Sequence, residues 1–261
     1  MRNTKARKSL GQHFLTSQMA IRRIVETIPQ GERVLEIGPG QGAITQPLLQ
    51  RAGQLVVIEK DDRFAAAWNE RAGTESRLTC VHADVLAVLD EQIHEHQPRW
   101  IAGNLPYNIS GPLSAALFAH HLAGGMVLMY QREVGNRIMA DPGSRTYGGL
   151  SVLARHFYDV KRLLTLPPGA FSPPPKVHSV VLLLMPHGLK PACSYAALQQ
   201  TVRQGFAHRR KTITNNFRGV LTEADWHNLD IDPKDRPEQL GYAAWSRLAC
   251  LLSGRDTSAT Q

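Results

Sequence analysis

The chain has 261 residues, 43% hydrophobic and 20% charged, enough for one large domain or for one of roughly 180 residues plus a smaller one. No apolar run approaches the roughly 18 residues of a membrane-crossing helix, and three dispersed cysteines, Cys80, Cys193 and Cys250, offer neither a disulfide framework nor a metal-ligand spacing. With a net charge of +8 the expected partner is a polyanion, nucleic acid first, and the expected setting is a reducing cytoplasm without membrane or metal; a merely basic soluble protein is the alternative.

The first 25 residues carry Arg2, Lys5, Arg7, Lys8, Arg22 and Arg23, with no acid before Glu26. An organelle transit peptide would look similar. Residues 17–28 have helical spacing, with Met19, Ile21, Ile24, Val25 and Ile28 on one face. Strands are expected at 33–37, 54–58, 78–82 and 99–102, each followed by a helix. Beyond them the order is helix 112–121, strand 126–131, helix 133–140 and helix 150–158. Two strands, 160–166 and 177–185, flank the segment PPGAFSPPPK. This alternation predicts an α/β protein: a mostly parallel, Rossmann-like sheet covered by helices, with an antiparallel hairpin at its end. Past Pro186-His187-Gly188 only helical patterns remain. The expected division is therefore 1–187 and a small all-α domain, 188–261. A late basic cluster, His208-Arg209-Arg210-Lys211, suggests together with the N-terminal one a track for a phosphate backbone.

Three motifs lie at strand ends. Gly38, Gly40 and Gly42 sit between a strand and a helix, where glycine lets a ligand approach the backbone closely. The spacing is G-x-G-x-G, and Pro39 removes an amide donor. A pyrophosphate is then less natural than a nucleoside without phosphates, such as S-adenosylmethionine; a plain strand-to-helix turn is the alternative. Glu59, at the tip of the second strand, can accept both ribose hydroxyls, and Asp84, at the tip of the third, an adenine amino group. Taken singly, either could be an exposed loop acid. Third, Asn104-Leu105-Pro106-Tyr107 ends the fourth strand. The Asn104 side-chain oxygen and a backbone carbonyl near Leu105 can bind the hydrogens of a weakly nucleophilic adenine amine and stabilise charge developing on its nitrogen. Tyr107 can stack on the base, and Pro106 stiffens the turn. A turn that merely ends a strand is the alternative.

The ordered blocks RKSLGQHFL, LEIGPGQGAIT, VIEKD, HAD, GNLPYNIS, QREVGNRI, YGGLSVL, FSPPPKVHSVV and FAHRRKTI resemble the ribosomal RNA adenine dimethyltransferase family, nearest its bacterial small-subunit members. The resemblance runs from about Lys8 to about Phe217, and more weakly beyond. It implies an S-adenosylmethionine-dependent enzyme that dimethylates two adjacent adenosines near the 3′ end of small-subunit rRNA, with small-subunit assembly as a second role. By the same resemblance His13 and Leu15 close over the cofactor, Gly38 approaches its methionine part and Gly40 belongs to the same loop. Glu59 and Asp84 bind ribose and adenine. Asn104 links cofactor and target, and Tyr107 and Phe171 sandwich the target base. His13 stands where some relatives have Asn. Lys8, Arg209, Arg210 and Lys211 are expected on rRNA phosphates within the immature 30S particle, and the chain is expected to be a monomer. Two competing readings are a large-subunit rRNA adenine methyltransferase of the antibiotic-resistance type and a mainly non-catalytic assembly factor.

Overall fold

The computed structural model describes residues 6–7 and 11–258. Arg2, Lys5 and Lys8, and with Lys8 its expected RNA contact, lie outside them. In chain order the strands are β1 (Phe14–Leu15), β2 (Arg33–Ile37), β3 (Gln54–Glu59), β4 (Leu78–His82), β5 (Trp100–Asn104), β6 (Gly125–Gln131), β7 (Tyr158–Leu166), β8 (Phe171–Ser172) and β9 (Ser179–Pro186). Seven of them form one sheet in the order β4-β3-β2-β5-β6-β9-β7. β4, β3, β2, β5 and β6 are parallel to one another, and β9 runs antiparallel to β6. β1 and β8 pair separately as a two-stranded antiparallel ladder.

The inner parallel strands are largely apolar because both of their faces are covered, whereas β4, at the sheet edge, is partly exposed. Val34, Leu35 and Ile37 of β2 and Leu55 to Ile58 of β3 are all buried. The chain first builds outward from β2 through β3 to β4, then crosses back to β5 and β6 on the other side. That reversal leaves a crevice at the carboxyl ends of β2 and β5, where open α/β sheets take their ligands.

The first helices are capped by the residues that precede them. Ser17 caps α1 (Gln18–Thr27), Asp61 caps α3 (Asp62–Ala72) and Asp84 caps α4 (Val85–His96), each side chain accepting a backbone amide of the first turn. α2 (Thr45–Leu49) follows the glycine loop, and α5 (Ser110–Leu117) begins two residues before the expected start. The buried face of α1 is Ala20, Ile21, Ile24 and Val25; Met19, expected there, is 63% exposed. The i, i+4 pairs 20–24 and 21–25 define the stripe, and position 19 falls off its edge.

Two compact units emerge. One comprises the described residues up to Gly135 together with Lys161–Pro186; the other comprises Asn136–Val160 and the chain from His187 onward. The helical unit therefore begins at His187 in the C-terminal half, but it also takes in residues 136–160, which the expected division had placed with the sheet. The reason is packing. Tyr147 is fully buried and donates its hydroxyl to the Leu240 carbonyl at 2.9 Å, and buried His156 shares a hydrogen bond with the Tyr242 hydroxyl. Within this unit α8 (Tyr195–Gly205) packs on α11 (Tyr242–Ser258) around Leu198, Val202, Trp245 and Leu248. A Cβ on Gly205 would meet the Trp245 ring at 2.3 Å, so only glycine allows this approach.

Candidate active site

Sheet register assembles the site. Ile37 lies beside Ile58 on one side and beside Gly103 on the other, so the segments leaving β2, β3 and β5 emerge together. Gly38 begins the glycine loop at φ +68°, and a Cβ there would meet nothing within 4 Å. It is one of the residues lining a cleft with a cavity volume of about 140 Å³. The loop is held from below: Gly38 N donates to the Ile58 carbonyl at 2.9 Å, and Trp68 Nε1 donates to the Gly40 carbonyl at 2.9 Å. Gly40 has φ +50°, and a Cβ there would press on the Phe14 ring at 3.1 Å.

The acids follow the same edge. Glu59 is 6% exposed; Oε2 accepts the Gly40 amide at 3.0 Å and Oε1 the Asp61 amide at 2.8 Å. Burial raises its pKa against these bonds. Each oxygen has a second lone pair to offer a ligand. Asp84 uses Oδ1 to cap α4 at Leu86 and Oδ2 to bind Lys60 Nζ at 2.7 Å, and that lysine holds its carboxyl below its ordinary value. Both acids line the cleft.

Two further carboxyls lie beside this edge, Asp61 in the block VIEKD and Glu36 in the block LEIGPGQGAIT, and of the two Glu36 lines the cleft. Asp61, buried, binds the Arg63 guanidinium, accepts Gln12 Nε2 at 2.8 Å and has Arg7 Nη1 at 3.4 Å. The Arg63 bonds hold it well below the usual carboxylate range. Glu36 is wholly buried in β2, lines the cleft, and leaves Oε2 without a partner. Desolvation, helped by the neighbouring charge of Glu59, pushes its pKa up to about 8. Its signal is present in the sequence: an acid inside the apolar strand RVLEI.

The turn after β5 supplies the polar apex. Asn104 donates Nδ2 to the His13 carbonyl at 2.8 Å. A carbonyl can only accept, so the oxygen must be the other amide atom. That Oδ1 is buried and has no partner. Buried acceptors are rarely left unpaired, and Asn104 is one of the residues lining the cleft. Leu105 is 1% exposed, and its N–H donates to the Met129 carbonyl, which ties the turn to β6. Leu105, Pro106 and Tyr107 all line the cleft. The Tyr107 hydroxyl shares a 2.9 Å hydrogen bond with Ser179 Oγ, and its ring stacks on the His13 imidazole with centroids 5.5 Å apart.

One geometric expectation is corrected. Phe171 does not face Tyr107 across the cavity. Pairing of β8 with β1 sets Phe171 opposite Leu15 and turns its ring into the core, where it is 4% exposed among Leu15, Leu166 and Ala170. Leu15, in the same ladder, does line the cleft, as does His13. The basic cluster is also divided. Arg209 spends Nη2 on the carbonyls of Arg145 and Tyr147, at 2.5 and 2.7 Å, and so braces a loop. Arg210 and Lys211 are exposed, with no side-chain bond among the described residues.

Chemically, the cleft offers acceptors and a glycine backbone, and the one lysine lining it among the described residues, Lys60, is already bonded to Asp84. That suits a nucleoside with a cationic tail better than a polyphosphate. Comparison with known proteins agrees. The family model for ribosomal RNA adenine dimethylase matches residues 3–253. The ribosomal RNA small subunit methyltransferase A of Proteus mirabilis is 41% identical over 97% of this chain and 96% of its own length. Among solved structures, a dimethyladenosine transferase from Plasmodium falciparum superposes with a TM-score of 0.79 at 24% identity, covering 94% of this chain and 98% of that one. The 23S rRNA methyltransferase ErmE superposes with a TM-score of 0.66 at 23% identity, covering 92% and 99%. These two likenesses speak for the fold alone.

Proposed function

The chain belongs to the ribosomal RNA adenine dimethylase family, and from that premise we propose how its residues carry out small-subunit rRNA adenine dimethylation. The enzyme uses S-adenosylmethionine, which supplies a methyl group already activated on a sulfonium, so neither a metal nor a covalent enzyme intermediate is required. The acceptor-rich cleft and the open space above Gly38 fit such a ligand. Glu59 receives the ribose hydroxyls, Asp84 the adenine amino group, and the Gly38–Gly40 backbone lies beneath the methionine part.

The observation that carries the catalytic reading is the free, buried Oδ1 of Asn104. Facing the target amine, it accepts one N–H, holds the nitrogen in line for attack and stabilises the positive charge that grows there. No strong base is needed, because the nitrogen sheds its proton readily once methylated. Tyr107, its ring fixed by Ser179 and His13, offers a stacking surface to an adenine swung out of its helix. A monomethylated amine retains one hydrogen for Asn104, which allows a second transfer. Arg210 and Lys211 contact rRNA phosphates. The substrate is rRNA within the immature 30S particle, met in the cytoplasm by a monomer.

The test is transfer of tritiated methyl from S-adenosylmethionine to undermethylated small subunits, followed by nucleoside analysis. Label in N6,N6-dimethyladenosine of small-subunit rRNA is expected. Label found only in large-subunit rRNA would favour the antibiotic-resistance type; none at all would leave a binding role in assembly.

A further inference from the structure

We propose that Cys193 and Cys250 are a dithiol site of the helical unit, which closes to an internal disulfide when the protein meets a small disulfide oxidant. The inference stands independently of the function proposed above.

The three cysteines are dispersed in the sequence, but the fold brings two of them together. Tyr242, Ser246 and Cys250 follow one another at intervals of four on α11 and so form one stripe of that helix. Cys193, just before α8, lies over this stripe. Its Sγ is 3.7 Å from Ser246 Oγ, and Cys250 Sγ donates at 3.0 Å to the carbonyl of Ala192, the chain neighbour of Cys193. The two thiols are also hydrogen-bond neighbours of each other. Both are half-buried, so a small reagent reaches them. Cys80 lies elsewhere, in β4 against the Ala65 carbonyl of α3.

Among the described residues no set of three His, Cys, Asp or Glu is placed to hold a metal ion. Two adjacent thiols on their own have another chemistry, two-electron oxidation. One thiolate attacks the disulfide of oxidised glutathione, releases one glutathione thiol and forms a mixed disulfide. The second thiolate then attacks the protein sulfur of that bond and releases the other glutathione. One S–S bond and two protein S–H bonds break, one S–S bond and two glutathione S–H bonds form, and both electrons pass to glutathione. Burial pushes the Cys193 thiol up, so its thiolate is scarce at neutral pH and closure takes minutes to hours. In a reducing setting the pair stays open, and it closes under oxidative load. The closed form ties the segment that enters α8 to α11 and restricts the unfolded chain.

The experiment incubates the protein with excess oxidised glutathione and follows it by intact mass, non-reducing electrophoresis, tryptic mapping and thermal melting with and without dithiothreitol. Expected are a single chain two hydrogens lighter that keeps one of its three thiols, and a cross-linked peptide pair carrying positions 193 and 250. The melting temperature should rise by at least about 5 °C and fall back on reduction. Cys80→Ser should close as the parent does. Cys193→Ser and Cys250→Ser should instead retain glutathione on the remaining thiol and show no such rise. The proposal is overturned if the oxidised parent keeps all three thiols, if glutathione stays on both cysteines, or if the new bond involves Cys80 or a second chain. An equal melting rise in either of the last two variants would overturn it as well. Should a serine variant fail to fold, the peptide map of the oxidised parent still decides.

Discussion

Glu59 accepts the amide of Gly40 at 3.0 Å, so the carboxylate at the end of β3 also shapes the glycine loop that follows β2. Replacing it removes a ligand acceptor and a loop fastening together. Glu59→Ala is expected to weaken S-adenosylmethionine binding by about tenfold to a hundredfold, the usual worth of hydrogen bonds to a charged group. Glu59→Gln can satisfy only one of the two backbone amides with its single carbonyl and should fall in between. Titration calorimetry measures both; unchanged affinity in the Ala variant would remove Glu59 from the cofactor site.

Asn104→Ala deletes the acceptor at the apex of the cleft. A single well-placed group of this kind contributes about a hundredfold to a thousandfold in turnover, and a loss of that size is expected. The fold should survive, since the lost bond to the His13 carbonyl costs only about 1 kcal/mol. Binding to immature small subunits, followed by sedimentation, should persist. A variant with near-normal turnover would end the assignment of Asn104.

Glu36 predicts a pH dependence. Its carboxyl ordinarily titrates near 4.5 and in the fold near 8, so the fold favours the neutral form. The associated stability is complete below the lower value, declines as pH rises between the two, and is level above the upper one. Glu36→Gln cannot titrate. Its stability relative to the parent should therefore climb with pH from about 5 to 8, with a slope approaching about 1.4 kcal/mol per unit, and then flatten. Urea melts of the ligand-free protein across that range test it; a constant difference would show that Glu36 is ionised in the fold.

What a sequence reveals depends on where the information is stored. The parallel strands are legible because most are short, mainly apolar runs between turn signals, and their register then brings Gly38, Glu59 and Asn104 to one edge. The β1–β8 ladder is not legible. It joins two pairs of residues more than 150 positions apart, too short for any period to show. Without that ladder Phe171 reads as aimed at the substrate, whereas pairing opposite Leu15 turns it inward. Residues 136–160 fall into the wrong unit for a similar reason: helix periodicity suggests a helix over 150–158, but shows neither that it ends at Ala154, with Tyr158 opening β7, nor which core receives it.

The basic cluster after α8 separates bracing from RNA binding. Arg209 holds the carbonyls of Arg145 and Tyr147, so Arg209→Ala should lower the melting temperature of the helical unit by a few degrees. Its effect on the salt dependence of binding should be small. Arg210 and Lys211 make no side-chain bond among the described residues and should behave in the opposite way. The double change Arg210→Ala and Lys211→Ala is expected to leave melting unchanged and to weaken rRNA binding uniformly. It should also reduce the slope of log affinity against log salt by about 0.7 to 0.9 for each phosphate no longer neutralised, roughly 1.5 for the pair. Filter binding at several salt concentrations distinguishes the two roles, and an unaltered slope would place the phosphate track elsewhere on the protein.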